Sequence, residues 1–159
     1  MILDDEANAE LTFATSVSNG KPVEISTRLK RDQGIAGWVM THGQPACVND
    51  VSQDPRWYGE VETGFVTHSL LCVPLQIDGP VVGVLEALNK KSPGGFDAGD
   101  IALLSAFAAS AAIAIQNARL YQEAQQARHL RALNELAMAL SSTLDLNLIL
   151  DNGLAQALR

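Results

Sequence analysis

Between Asp100 and Gly153 the chain contains neither proline nor glycine. A run of that length, dominated by Ala, Leu, Gln and Glu, commits the C-terminal third of the molecule to helix. Its start is expected near Asp97 or Ala98, where acidic residues favour the positive end of the helix dipole. From Ile101 to Leu120 the sequence is apolar nearly all round, which predicts burial against a sheet and a second helix. Tyr121 to His129 is polar, with Gln122, Glu123, Gln125, Gln126 and Arg128, the pattern of a neck in solvent. Apolar spacing resumes at Leu130, Leu133, Leu136, Ala137 and Leu140. Ser141-Ser-Thr-Leu-Asp145 then offers several capping side chains, and Leu146, Ile149, Leu150, Leu154 and Leu158 recur at three and four, predicting a second amphipathic helix. A helix of about fourteen residues is marginal alone in water, so this tail is expected to dock on something.

The rest of the chain has the grammar of strands. Ile2-Leu3 and Leu11 to Val17 predict a hairpin across an acidic turn. Gly34 to Gly43 puts Ile35, Trp38 and Val39 on one helical face and stops at a glycine. Pro45 to Val48 is a brief strand, and Asn49 to Thr67 is a long loop with one helical turn, of a length that in compact domains is usually functional or disordered, with Trp57, Tyr58 and Phe65 weighing against disorder. Ser69 to Gln76, the turn Asp78-Gly79-Pro80, and Val81 to Asn89 form the clearest hairpin and the expected centre of the sheet. Pro74 cannot donate a ladder hydrogen bond, so its strand must be bulged or edge-exposed there.

Composition narrows the function classes. Eleven Lys and Arg against eighteen Asp and Glu give a net charge of -7, which argues against a surface that tracks nucleic-acid phosphates. Apolar stretches are broken by Ser, Gly, Gln, Asn or Glu before the roughly 20 residues of a membrane span, so no span and no membrane contact are expected. Met1-Ile-Leu followed by Asp4, Asp5 and Glu6 lacks the basic start of a secretory signal, and a cytoplasmic setting is expected. Cys47 and Cys72 have no CxxC spacing and no nearby His pair, and read as reduced small hydrophobes.

Six segments in order carry a family likeness: Gly34-Ile-Ala-Gly-Trp-Val39; Asn49-Asp-Val51 with Asp54-Pro-Arg-Trp57; Ser69-Leu-Leu-Cys-Val-Pro-Leu75; Gly83-Val-Leu-Glu-Ala-Leu-Asn-Lys90; Phe96-Asp-Ala-Gly-Asp100; and Ala111 through Tyr121. Together they make residues 34–121 resemble a GAF domain. The resemblance implies an α+β, GAF/PAS-like fold: an antiparallel sheet with helices on one face, a loop-covered pocket on the other, and a long C-terminal signalling helix. It implies residues 1–121 as a GAF domain lacking its first helices, 122–142 as a connecting helix and 143–159 as the opening helix of a following GAF-like domain. The leucines of that last helix are then expected to cover the sheet face left bare, in cis or from a dimer partner.

Asn89-Lys90, Phe96 and Asp100 partly match the signature of cyclic-nucleotide-binding GAF domains, with Ile101 where the final acidic residue would stand. A Lys90–Asp100 ion pair is expected, either as part of a ligand site or as a domain-closing link unrelated to ligand. The pocket candidates are Trp57, Tyr58 and Phe65 with Asp50, Asp54, Thr67 and Ser69, since small-ligand sites pair apolar walls with a few placed polar groups. Glu86 joins them as a charge in an otherwise apolar strand, on one face with Val82, Val84 and Leu88. The plainer alternative is a loop folded onto its own core. His42 and His68 read as solvated and structural, and His129 has no phosphoacceptor surroundings. No catalytic triad, phosphate loop or metal cluster is visible, and methionine sulfoxide reductase relatives use clustered cysteines that two distant ones do not reproduce.

The sequence thus predicts a small-molecule-sensing or regulatory dimerisation domain of a multidomain signalling protein, not an enzyme. Its ligand is a cyclic nucleotide or another small molecule, with no haem, bilin or metal. Its partners are a second copy, through the long helix, and an output domain in the same polypeptide. A ligand-free spacer is the alternative.

Overall fold

The structure, a computed structural model, describes residues 1–5, 10–18, 21–23, 28–59 and 66–157, with side chains described as far as Leu140 apart from Ser18 and Val23. β1 (Ile2–Asp5) and β2 (Glu10–Phe13) form the N-terminal hairpin, in register from Ile2↔Phe13 to Asp5↔Glu10. The expected strand from Leu11 to Val17 is split in two. The amides of Ala14 and Thr15 both turn onto the Met1 carbonyl, at 3.1 and 3.4 Å, where β1 begins and the ladder runs out. β3 (Ser16–Ser18) then pairs with β4 (Lys21–Val23) in a separate ribbon. β5 (Arg28–Lys30) returns to pair with β2.

α1 (Gly34–His42) ends as expected in Gly43, whose left-handed φ of 64° lets its N–H reach the Val39 carbonyl at 2.9 Å. β6 (Ala46–Val48) leads into a single 3-10 turn at Val51–Gln53. β7 (Leu70–Leu75) and β8 (Gly83–Leu88) pair along their whole length. The six-stranded sheet is antiparallel throughout, in the order β5-β2-β1-β8-β7-β6. β6 pairs with β7 only as far as Cys72, so Pro74 has a strand neighbour on one side alone, which suits a residue without an N–H.

Strand alternation sorts the core into two. Ile2, Leu11, Leu70, Cys72 and Val84 pack with Ile35, Ala36, Val39 and Met40 of α1 on one face. Leu71, Val73 and Leu75 face the other way, towards Ala108 and Ala112 of α2 (Ala98–Ala157). Val82 joins this second core: it precedes β8 and so does not share a face with Glu86, as simple alternation had implied.

The chain divides into two units, residues 1–115 and 116–159. In the first, α2 is not buried all round. Ala108 and Ala112 are fully covered and Ile101, Leu104, Ala111 and Ile115 pack beside them, but Leu103 and Phe107 are each 60% exposed and Ile113 50%. No second helix covers that outer stripe among the described residues. In the second unit the helix continues without a break through Ser141–Asp145, where capping side chains suggested a new start. Every residue from Leu120 to Leu140 is exposed. The proposed docking of Leu146 to Leu158 falls on side chains outside those described. By length and composition alone one 18-residue window of α2 is apolar enough to cross a membrane, contrary to expectation. Within that uncharged, alanine-rich run Ala108 and Ala112 are seated on the sheet, and the rest is partly or fully exposed.

Candidate functional site

Glu86 lies at the middle of the sheet on the α1 face, directly opposite Cys72 on β7. Its neighbours on that face are apolar, and burial raises the carboxyl's pKa above its usual value, opposed by the positive charge of the Met1 amino group and by the Cys72 thiol. Cys72 is itself wholly buried, and burial, followed by the Glu86 charge, pushes its thiol well up. Cys47 is opposite Leu71, whose side chain belongs to the α2-side core, so the two thiols project from opposite faces of the sheet. Cys47 contacts the Phe96 carbonyl at 3.7 Å, and desolvation, then Asp100 and Asp97, raise its pKa too. Neither cysteine has the lowered pKa of a reactive thiolate. A second carboxylate was not foreseen on the α1 face: Asp4 is buried there beside Ile2, paired at 2.7 Å with Arg31 from the segment before α1.

Trp57 and Tyr58 line a groove to which Glu86 does not contribute. Asp50 caps the 3-10 turn, accepting from the Ser52 amide at 3.0 Å and its hydroxyl at 2.6 Å. Asp54 grips Arg56 at both oxygens, 2.9 and 2.6 Å, and accepts its amide as well. The side-chain bond to Arg56 is the main reason the Asp54 carboxyl sits below its usual range. So fixed, the guanidinium lies 4.6 Å from the Trp38 ring, and His42 stacks on the same ring at 4.4 Å, its Nδ1–H donating to the Trp38 carbonyl at 2.8 Å. Trp57 packs on the α1-side core, while Tyr58 is 69% exposed. With Trp38, His42 and Arg56 these two line an open groove of about 870 Å³ beside β5. Thr67 and Ser69 are buried at the entry to β7, and Phe65 lies outside the described residues. Trp38 and His42 were legible as a pair only through their spacing of four on one helix, and Arg56 only through the two-residue spacing from Asp54.

The signature residues form a clasp. Asn89 takes a left-handed φ of 54°, and its side chain accepts from the amides of His68 and Ser69 at 2.7 and 3.3 Å while donating to the Val66 carbonyl at 2.7 Å. Asn49 brackets Phe96, accepting from its N–H at 2.7 Å and donating to its carbonyl at 3.1 Å. Lys90 makes the expected ion pair with Asp100 and a further one with Asp97 at 3.1 Å. Asp97 caps α2 through the amides of Gly99 and Asp100, 2.8 and 3.1 Å, and Asp100 returns to the Asp97 amide at 2.8 Å, a reciprocal capping box. Ile101 packs into the α2-side core, which accounts for an apolar residue at the position where the signature has an acid. Among the described residues no group of His, Cys, Asp and Glu is placed to hold a metal.

A sequence profile of the GAF domain matches residues 1–116, and the chain belongs to that family. It is 35% identical over 120 residues to the dual 3',5'-cyclic-AMP and -GMP phosphodiesterase 11A of Takifugu rubripes, a match that spans 73% of this chain and 13% of the relative's length. The fold matches the GAF domain of a phosphoenolpyruvate-protein phosphotransferase from Coxiella burnetii, with a TM-score of 0.64 and 24% identity over 76% of this chain and 71% of that one. It also matches the free methionine-R-sulfoxide reductase of Neisseria meningitidis, with a TM-score of 0.53 and 26% identity over 67% and 59% of the two chains. A protein with this fold can therefore be an enzyme.

Proposed function

We propose that this chain is a regulatory GAF domain of a larger signalling protein, pairing with a second copy through α2 and driving an output domain in the same polypeptide. The observation that carries this reading is the exposed stripe of Leu103, Phe107 and Ile113 on a helix whose opposite side is seated on the sheet. Full burial of a side chain of that size is worth about 1.5–3 kcal/mol, and a partner helix would recover the part of it that half-exposed residues forgo. Likeness to a cyclic-nucleotide phosphodiesterase supports a small-molecule input, for which Glu86 on the α1 face is the best-placed polar group. Cysteines on opposite faces, both with raised pKa values, support a non-enzymatic role.

The spacer reading has its own support, because Asp50 and Asp54 are both committed to holding their loop. Native mass spectrometry of the freshly purified chain, with cyclic AMP or cyclic GMP added, separates the two. A dimer that retains a nucleotide supports sensing, a dimer that retains none supports the spacer, and a monomer contradicts both.

A further inference from the structure

Both described ends of the connection between β6 and β7 are tied to the residues that start α2. At its beginning, Asn49 holds the N–H and carbonyl of Phe96, two residues before the helix. At its end, Val66, His68 and Ser69 are held by Asn89, and the next residue, Lys90, grips both acids of the capping box. We propose that these contacts act as one coupling element, so that a change in the β6–β7 connection is felt at the first turn of α2 and the reverse. Asn49, Asn89 and Lys90 are positioning residues in this element, acting through Phe96 and the Asp97–Asp100 box.

Space around the clasp is tight enough to transmit displacement. A Cβ on Gly95 would overlap the Asn49 side-chain amide, and Gly95 has a φ of 73°, so the backbone there fits only around that amide. Contiguous hydrogen-bonded and packed groups are the physical means by which two places share free energy, and coupling is established by perturbing one and reading the other.

Hydrogen exchange on the full chain provides that reading and needs neither ligand nor dimer, so it stands or falls separately from the functional proposal. Asn49→Ala removes two hydrogen bonds at the loop's start and is expected to speed exchange about tenfold at Phe96. The same acceleration is expected at the amides of Gly99, Asp100 and Ile101, and at Ser69, none of which Asn49 touches. Lys90→Gln is expected to do the same at Phe96 and Ser69. Amides of β1 and β2 should be unchanged and serve as the control. Acceleration confined to Phe96 in Asn49→Ala, or to the first turn of α2 in Lys90→Gln, would overturn the proposal. Should Asn49→Ala not fold, Asn49→Asp keeps the acceptor for Phe96 N–H and loses only the donor. Its melting-temperature loss must then be non-additive with that of Lys90→Gln, and strict additivity would overturn the proposal equally.

Discussion

Gly83 shows how closely a single residue can be tied to the fold. A Cβ there would run into the Ile2 carbonyl oxygen and Leu3, where β1 lies against β8. Gly83→Ala is therefore expected to cost about 1–3 kcal/mol in urea unfolding, the usual penalty for forcing atoms into a filled site. Glu86 makes a prediction of the opposite kind. Its folded pKa lies above the ordinary value of 4.5, so the folded state holds the proton after the unfolded chain has released it. Stability from this group is complete below 4.5 and declines as pH rises towards the folded pKa. Glu86→Gln should flatten that decline, and an unchanged pH slope of the melting temperature would show the carboxyl to be solvated. At this scale the sequence revealed the anomaly of a charge within an apolar strand. It could not reveal Cys72 as the neighbour, because strand register is fixed by pairing and not by either strand alone.

Elements were legible where local chemistry decides them. Gly43 stops α1, the Asp-Gly turn joins β7 to β8, and α2 begins at Ala98 behind its acids. Misreadings arose where tertiary context decides. Leu11 to Val17 reads as one strand until the Met1 carbonyl takes two of its amides, and Ser141–Asp145 reads as a break although the helix continues through it. Of the candidate site, the sequence could show residue types but not their partners: Asp50 and Asp54 hold their own loop through short-range bonds that composition does not distinguish from ligand contacts. The capping box of α2 carries its own test. Bonds to the Asp100 amide, then to Lys90, hold the Asp97 carboxyl below its usual range, so its contribution is present above the ordinary carboxylate value and lost as pH falls through the folded one. Asp97→Ala should lower the melting temperature at neutral pH and reduce the acid sensitivity of α2, monitored by helical circular dichroism.

Across the molecule, the two faces of the sheet divide the labour. One carries α1, the acids Asp4 and Glu86 and the loop groove, and the other seats α2. The clasp at Asn49, Asn89 and Lys90 is the hydrogen-bonded route between them. Burial of Ala108 and Ala112 accounts for one side of α2, while its outer apolar stripe is accounted for only by a second copy in the proposed account. Sedimentation equilibrium tests that most directly, on the wild-type chain, on Phe107→Glu, and on Val17→Glu as a control at an exposed apolar residue away from α2. The account predicts a dimer for the wild type and the control, and a monomer with unchanged circular dichroism for Phe107→Glu. A wild-type monomer at high micromolar concentration, or a Phe107→Glu chain that still dimerises as tightly, would contradict it.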